Sequence, residues 1–210
     1  DNGISPQKLT IIGSPYADKL FDLKKEKANR LTKQSLVLIS LPPNFDDYYD
    51  NNFCGSYFKM LQMLTTQIGL YPNLSALVSI HPATLDRDRK EILSFDWKIS
   101  KKPILEDVYQ SDICISVFSS TIRWFLASSI PVINLDIWNF ELELYNKSTG
   151  FLNCKNEAGF MNNLSKLSSQ KKLAQLRKEM TKVASDWGII DGEATSRLLE
   201  TLRSRKLELK

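Results

Sequence analysis

Six short runs of consecutive apolar, mostly β-branched residues punctuate this 210-residue chain, and they constrain its fold more than any other feature. They are Leu9-Thr10-Ile11-Ile12, Leu36-Val37-Leu38-Ile39, Leu77-Val78-Ser79-Ile80, Trp97-Lys98-Ile99, Ile113-Cys114-Ile115-Ser116-Val117 and Pro131-Val132-Ile133-Asn134-Leu135. A strand with one wet face alternates apolar and polar residues, whereas a strand covered on both faces is apolar almost throughout. These runs are nearly continuous. Between them lie segments of helical spacing, clearest from Phe53 to Leu70, where Phe53, Tyr57, Met60, Leu61, Leu64 and Ile68 recur. Strands separated by such helices imply βαβ units and a parallel sheet with helices on both faces. The predicted class is α/β, a Rossmann-like parallel sheet flanked by helices.

Shorter helices are predicted over Asp86–Leu93, Ile104–Tyr109 and from the turn at Ser119 through Ala127. After Gly150 a brief apolar piece, Phe151-Leu152, precedes helices over Glu157–Leu167 and Lys171–Trp187 and a last one starting near Gly192-Glu193. We therefore expect one domain over 1–210, with a core at about 8–168 and extra C-terminal helices over 169–210.

Composition narrows the functional classes. No apolar run approaches the ~18 residues that a spanning helix needs. Cys54, Cys114 and Cys154 sit singly in apolar segments, and only one histidine is present, so neither a disulfide framework nor a metal site is expected. Residues 171–210 hold ten Lys/Arg against six Asp/Glu, which accounts for the whole net charge of +4. A solvated helix face explains that excess, and peripheral contact with an anionic membrane is the alternative. No basic stripe with interleaved aromatics points to nucleic acid.

In open parallel sheets ligands bind beyond the carboxyl ends of the strands. The residues immediately after four of the runs are therefore informative: Gly13-Ser14-Pro15, His81-Pro82, Ser119-Ser120-Thr121 and Asp136. Small hydroxyl residues opening a helix cap its N–H groups, and the same N–H groups can receive a phosphate. Alone, Ser-Ser-Thr would read as a plain cap. Its place directly after a buried strand favours the phosphate. His81, the only histidine, ends a strand and is succeeded by Pro82, which stiffens the exit. Gly13-Ser14-Pro15 lacks the glycines of a dinucleotide or P-loop motif. The tryptophans suit core or hinge positions, with Trp138 nearest a ligand-side loop.

In order and spacing these motifs resemble the C-terminal domain of GT-B glycosyltransferases. Ile11-Ile12-Gly13-Ser14-Pro15-Tyr16-Ala17-Asp18 looks like the start of that domain, and like the matching segment of UDP-N-acetylglucosamine 2-epimerases. Ile80-His81-Pro82 resembles the HP motif of bacterial sialyltransferases, Kdo transferases and glycerophosphotransferases. Ser111-Asp112, the strand to Val117, and Phe118-Ser119-Ser120-Thr121 through Ile130-Pro131-Val132-Ile133 resemble the double-serine block of the same enzymes. The chain departs from the pattern in two places. Ile122 to Phe125 occupy the turn where many relatives carry a glutamate, and Ile130 replaces the usual glycine.

The resemblance implies a nucleotide-sugar donor held without metal or other cofactor. Gly13, Ser14, His81, Pro82, Ser119, Ser120 and Thr121 would lie at the donor phosphate, His81 would be catalytic, and Arg123 and Asp136 are further candidates. A CMP-linked donor is favoured by the HP and double-serine pairing. The acceptor would be a glycan or a lipid-linked acceptor, in synthesis of the bacterial surface-polysaccharide or glycan type. The enzyme would be cytoplasmic, and peripheral contact at the inner face of the membrane stays the alternative reading of its basic C-terminal helices. An N-terminal GT-B domain is expected to be missing, because Ser5-Pro6-Gln7-Lys8 reads as an interdomain junction; alone, this half would be poorly active. The alternatives are half of a UDP-N-acetylglucosamine 2-epimerase-like isomerase, and a non-catalytic α/β binding domain.

Overall fold

The computed structural model describes residues 9–27, 34–51 and 53–208. The proposed junction at Ser5–Lys8 lies outside them. Six strands, β1 (Ser35–Leu41), β2 (Leu74–Ile80), β3 (Lys98–Ile99), β4 (Ile113–Ser116), β5 (Val132–Leu135) and β6 (Phe151–Cys154), form a single sheet. It is parallel throughout, in the order β3-β2-β1-β4-β5-β6. The helices are α1 (Pro15–Lys27), α2 (Tyr57–Gly69), α3 (Asp86–Ile92), α4 (Ile104–Val108), α5 (Ile122–Ala127), α6 (Glu157–Ser168), α7 (Gln170–Thr181) and α8 (Ala194–Glu208). None of them, among the described residues, is long and apolar enough to cross a membrane.

The register explains why the strand runs are apolar on both sides. Val78, Ile39, Ile115, Ile133 and Leu152 stand side by side across five strands. They pack with Tyr57, Met60, Leu61 and Leu64 of α2 and with Phe160 and Leu164 of α6. One residue earlier on each strand, Leu77, Leu38, Cys114, Val132 and Phe151 form the matching row of the other face. That row packs with Ala17 and Leu20 of α1, Leu105 and Val108 of α4, and Ile122 and Phe125 of α5. Each face buries its own core, as period-two alternation of side-chain direction requires.

Three elements differ from the sequence reading. Leu9–Ile12 pairs with no strand, and Leu9 and Ile11 are exposed. The segment is held instead by α8, where Arg197 Nε donates to the Ile12 carbonyl at 3.0 Å. Its apolar composition mimics a strand without a neighbour to complete it. The sixth strand is β6, bonded to β5. Asn153 interrupts its apolar run, which is why four residues there do not read as a strand. The strand count is unchanged; the sheet gains an edge at the other end. The helix expected over Lys171–Trp187 is also shorter, since α7 stops at Thr181 and is succeeded by a 3-10 turn at Ala184–Asp186.

Candidate functional site

The site lies where β1, β2 and β4 deliver their carboxyl ends. His81 is the first residue beyond β2, and its backbone N–H bonds the Leu41 carbonyl at 3.1 Å, so the chain leaves the sheet still anchored to β1. The Ala83 N–H donates to the ring's Nδ1 at 3.1 Å. Nδ1 is therefore the acceptor nitrogen, which leaves the Nε2–H of the exposed ring to donate.

Beyond β4 the backbone turns sharply. Phe118 sits in the left-handed region at φ 45°, a conformation that costs a non-glycine residue on the order of 1 kcal/mol or more. Its N–H is taken by Asn134 Oδ1 at 3.3 Å. The next turn is self-bonded: Ser119 Oγ lies 2.7 Å from Thr121 Oγ1 and accepts the Thr121 N–H at 3.2 Å. The capping expected of these hydroxyls is thus supplied by Ser119, whereas the Thr121 side chain caps nothing in α5. The backbone N–H groups of Ser119 and Ser120 have no partner among the described residues.

The two junctions meet. His81, Pro82, Ser119, Ser120 and Thr121 line one cavity of about 380 Å³. Ser40 and Ser79 line it from the sheet, and Tyr16, Pro103, Ile104, Leu105 and Trp124 give it an apolar end. The serines belong to a polar row. In register, Ser79, Ser40, Ser116, Asn134 and Asn153 stand side by side two residues beyond the apolar row of the same face. Small hydroxyls there leave room above the sheet that leucine or isoleucine would fill. A serine late in an otherwise apolar strand is the sequence signal for this floor, and motif spacing alone does not capture it. Lys102 and Trp124 also line the cavity and were not anticipated.

Four expected site residues fall outside the cavity lining. Gly13 turns at φ +80° against α8, where a Cβ would come within 3.3 Å of Ala194 and 3.2 Å of Arg197; its left-handed conformation serves helix packing. Ser14 accepts the Ala17 N–H at 2.8 Å through its carbonyl and starts α1. Arg123 is exposed and stacks on the Trp124 ring at 4.4 Å. Asp136 is buried, with one carboxylate oxygen accepting the Phe140 N–H at 2.8 Å and the other unpartnered. Trp138 is core: its Nε1–H reaches Asp46 at 3.2 Å.

Among the described residues no carboxylate lines the cavity. Among the described residues no group of three or more His, Cys, Asp or Glu side chains could hold a metal ion. All three cysteines are free; burial pushes the half-buried Cys54 thiol up to about 11 and raises those of Cys114 and Cys154.

Comparison with solved structures shows what this architecture is similar to. The wall teichoic acid polymerase TagF, in a His-to-Asn variant soaked with CDPG, superposes with a TM-score of 0.60 at 16% identity, over 99% of this chain and 53% of that one. Another structure of TagF gives 0.59 at 15%, over 99% and 55%. A UDP-N-acetylglucosamine 2-epimerase gives 0.56 at 12%, over 95% and 52%. The chain thus shares the fold of part of each of these proteins, and spans about half their length. No family model matches the chain, and no curated protein matches it by sequence.

Proposed function

We propose that this chain is the donor-binding half of a GT-B glycosyltransferase, and that the cavity receives the phosphate of a nucleotide-activated donor. One observation carries the reading. Two separate strand-to-helix junctions bring His81 and the Ser119–Thr121 turn to a single opening at the carboxyl edge of the sheet. In this fold class that edge is where nucleotides sit.

The chemistry rests on the bonds those groups can donate. When a sugar is transferred, the departing nucleotide gains negative charge on a phosphate oxygen. Preorganised donors aimed at that oxygen lower the barrier without a metal. The His81 Nε2–H, the Ser120 hydroxyl, whichever of the Ser119 and Thr121 hydroxyls does not donate to the other, and the two unpartnered N–H groups of the turn are such donors. Tyr16, Ile104, Leu105 and Trp124 offer the apolar surface that a nucleobase or ribose prefers. Acceptor and donor sugar would lie toward a second domain.

Titration calorimetry of the chain with CDP, UDP and GDP tests the reading. Saturable binding of at least one nucleotide is expected, and His81→Ala should weaken it roughly tenfold, the value of about 1.4 kcal/mol of lost hydrogen bonding. Absence of saturable binding by all three sinks the proposal.

A further inference from the structure

The turn beyond β4 is held by two side chains that lie outside the cavity lining, Asn134 and Asn153. Asn134 stands one residue before the end of β5, in register with Ser116 of β4 and Asn153 of β6. Its companions along β5, Val132, Ile133 and Leu135, are apolar and fully buried. Asn134 is 1% exposed, and a buried amide is costly unless its polar atoms are bonded. Both are. Oδ1 accepts the Phe118 N–H at 3.3 Å, and Nδ2 donates to Asn153 Oδ1 at 2.8 Å. Only the oxygen of an amide side chain accepts an N–H, so the bond to Phe118 fixes the orientation of the group and directs its NH2 towards β6. Two amides thus form a relay from the edge strand, across β5, to the chain leaving β4.

Phe118 is where such a hold matters. Its φ of 45° is disfavoured for a bulky residue and persists only where the surroundings determine it. The ring supplies one restraint, packing on Phe140 with centroids 4.5 Å apart. The bond to Asn134 supplies the other, on the backbone itself. Ser119 and Ser120 come next; they line the cavity, and their N–H groups have no partner among the described residues. An apolar residue at 134 fills the same space and leaves Phe118 unheld. We propose that Asn134, braced by Asn153, is a positioning residue for the cavity: it fixes the backbone at Phe118 and so sets the Ser119–Thr121 turn against the bound phosphate. The inference rests on the reading of the cavity as a donor-phosphate site. It adds that half of the site's geometry is set by β5 and β6, which contribute no lining residue. His81 is anchored separately, on β1, through the Leu41 carbonyl.

The test is a double-mutant cycle read by titration calorimetry, with whichever of CDP, UDP and GDP binds the chain most tightly. Asn134→Leu keeps the side chain's shape and removes both bonds; it is expected to weaken the nucleotide about tenfold. In that background His81→Ala should still cost about the same factor as in the unmodified chain, because the two anchors have separate supports. General damage to the site would abolish the His81 effect as well. Undiminished affinity in a folded Asn134→Leu, or loss of the His81 effect within it, overturns the inference while leaving the phosphate site standing. A circular dichroism melt shows whether each variant folds. Should Asn134→Leu not fold, Asn153→Ala decides, since it removes only the brace at the half-buried edge strand: about threefold weaker binding is expected, and unchanged binding overturns the inference. If no nucleotide binds the unmodified chain, both readings fall together.

Discussion

The two faces of the sheet begin alike and end differently. Over most of each strand both are apolar and both are covered by helices. At the carboxyl edge one face stays apolar: Ile80, Leu41, Val117, Leu135 and Cys154 all join the core beneath α2 and α6. The other ends in Ser79, Ser40, Ser116, Asn134 and Asn153, and there a cavity opens. The helices differ correspondingly. α2 and α6 run for 13 and 12 residues, whereas on the cavity side α1 has 13 but α4 and α5 have 5 and 6. One face is sealed by apolar side chains to its end, and the other closes on a polar row, with the cavity over Ser40 and Ser79.

The largest expected effects fall on the closed face. Phe160 is fully buried there against the sheet. Phe160→Ala should cost about 3–5 kcal/mol in urea unfolding, from lost transfer energy and the cavity left behind. Nucleotide affinity of the folded fraction should be unchanged. A matching loss of affinity would show that the faces are not separable.

The next effect concerns how the open face is held from outside. α1 covers that face, and α8 holds α1 through a clasp. Asp18 accepts the Ala194 and Thr195 N–H groups at 3.0 and 2.8 Å, capping α8 from a distant part of the chain. Arg197 completes it with a two-pronged contact to Asp191 at 2.7 and 3.0 Å. Asp18→Ala should cost about 1–2 kcal/mol, the usual loss for a helix cap. Hydrogen exchange should quicken in α8 and α1 and stay unchanged in α2 and α6. The clasp is also acid-sensitive. Burial pushes the Asp18 carboxyl up, but the bonds from Thr195 and Ala194 outweigh it and leave the group below its ordinary value. The Arg197 guanidinium, with the Glu193 N–H, holds Asp191 at about 2. Groups lowered in the folded state stabilise above their unfolded value of 3.8 and lose that contribution as the pH falls. Loosening of α8 is therefore expected between about pH 4 and 2. Exchange that is flat across that range would count against the clasp.

This clasp shows where sequence reasoning succeeds and where it stops. The sheet class is legible because two-sided burial writes continuous apolar runs, and five of the six predicted strands are present. Leu9–Ile12 has the composition of a strand, but pairing depends on a neighbour that composition does not encode. Gly13-Ser14-Pro15-Tyr16-Ala17-Asp18 looks like the rim of a site, yet Gly13 and Asp18 serve α8, more than 170 residues later in the chain. Only Tyr16 of that motif reaches the cavity. His81 and the Ser119 turn can be placed together because parallel topology puts every strand's end on one edge. Lys102 cannot, since it lies just past a two-residue edge strand and looks like any surface lysine.

The smallest expected effect is the finest probe of the open face. Ser116 lies in the middle of the polar row between Ser40 and Asn134, is fully buried, and its Oγ has no hydrogen-bond partner. An unpaired buried hydroxyl costs about 1–3 kcal/mol, so deleting it should not destabilise the protein as deleting a core methyl would. Ser116→Ala should be neutral or stabilising by up to about 1 kcal/mol in urea unfolding. The same reasoning fails for its neighbour Ile115, which faces α2 and α6, where any truncation removes packing. Ser116 does not line the cavity, so its loss should leave nucleotide affinity within about twofold. A destabilised Ser116→Ala with weaker nucleotide binding would mean that the row of hydroxyls acts as one hydrogen-bonded unit beneath the ligand. The open face would then be a rigid polar floor whose members cannot be exchanged singly, and its contrast with the apolar face would lie in connectivity as well as in space.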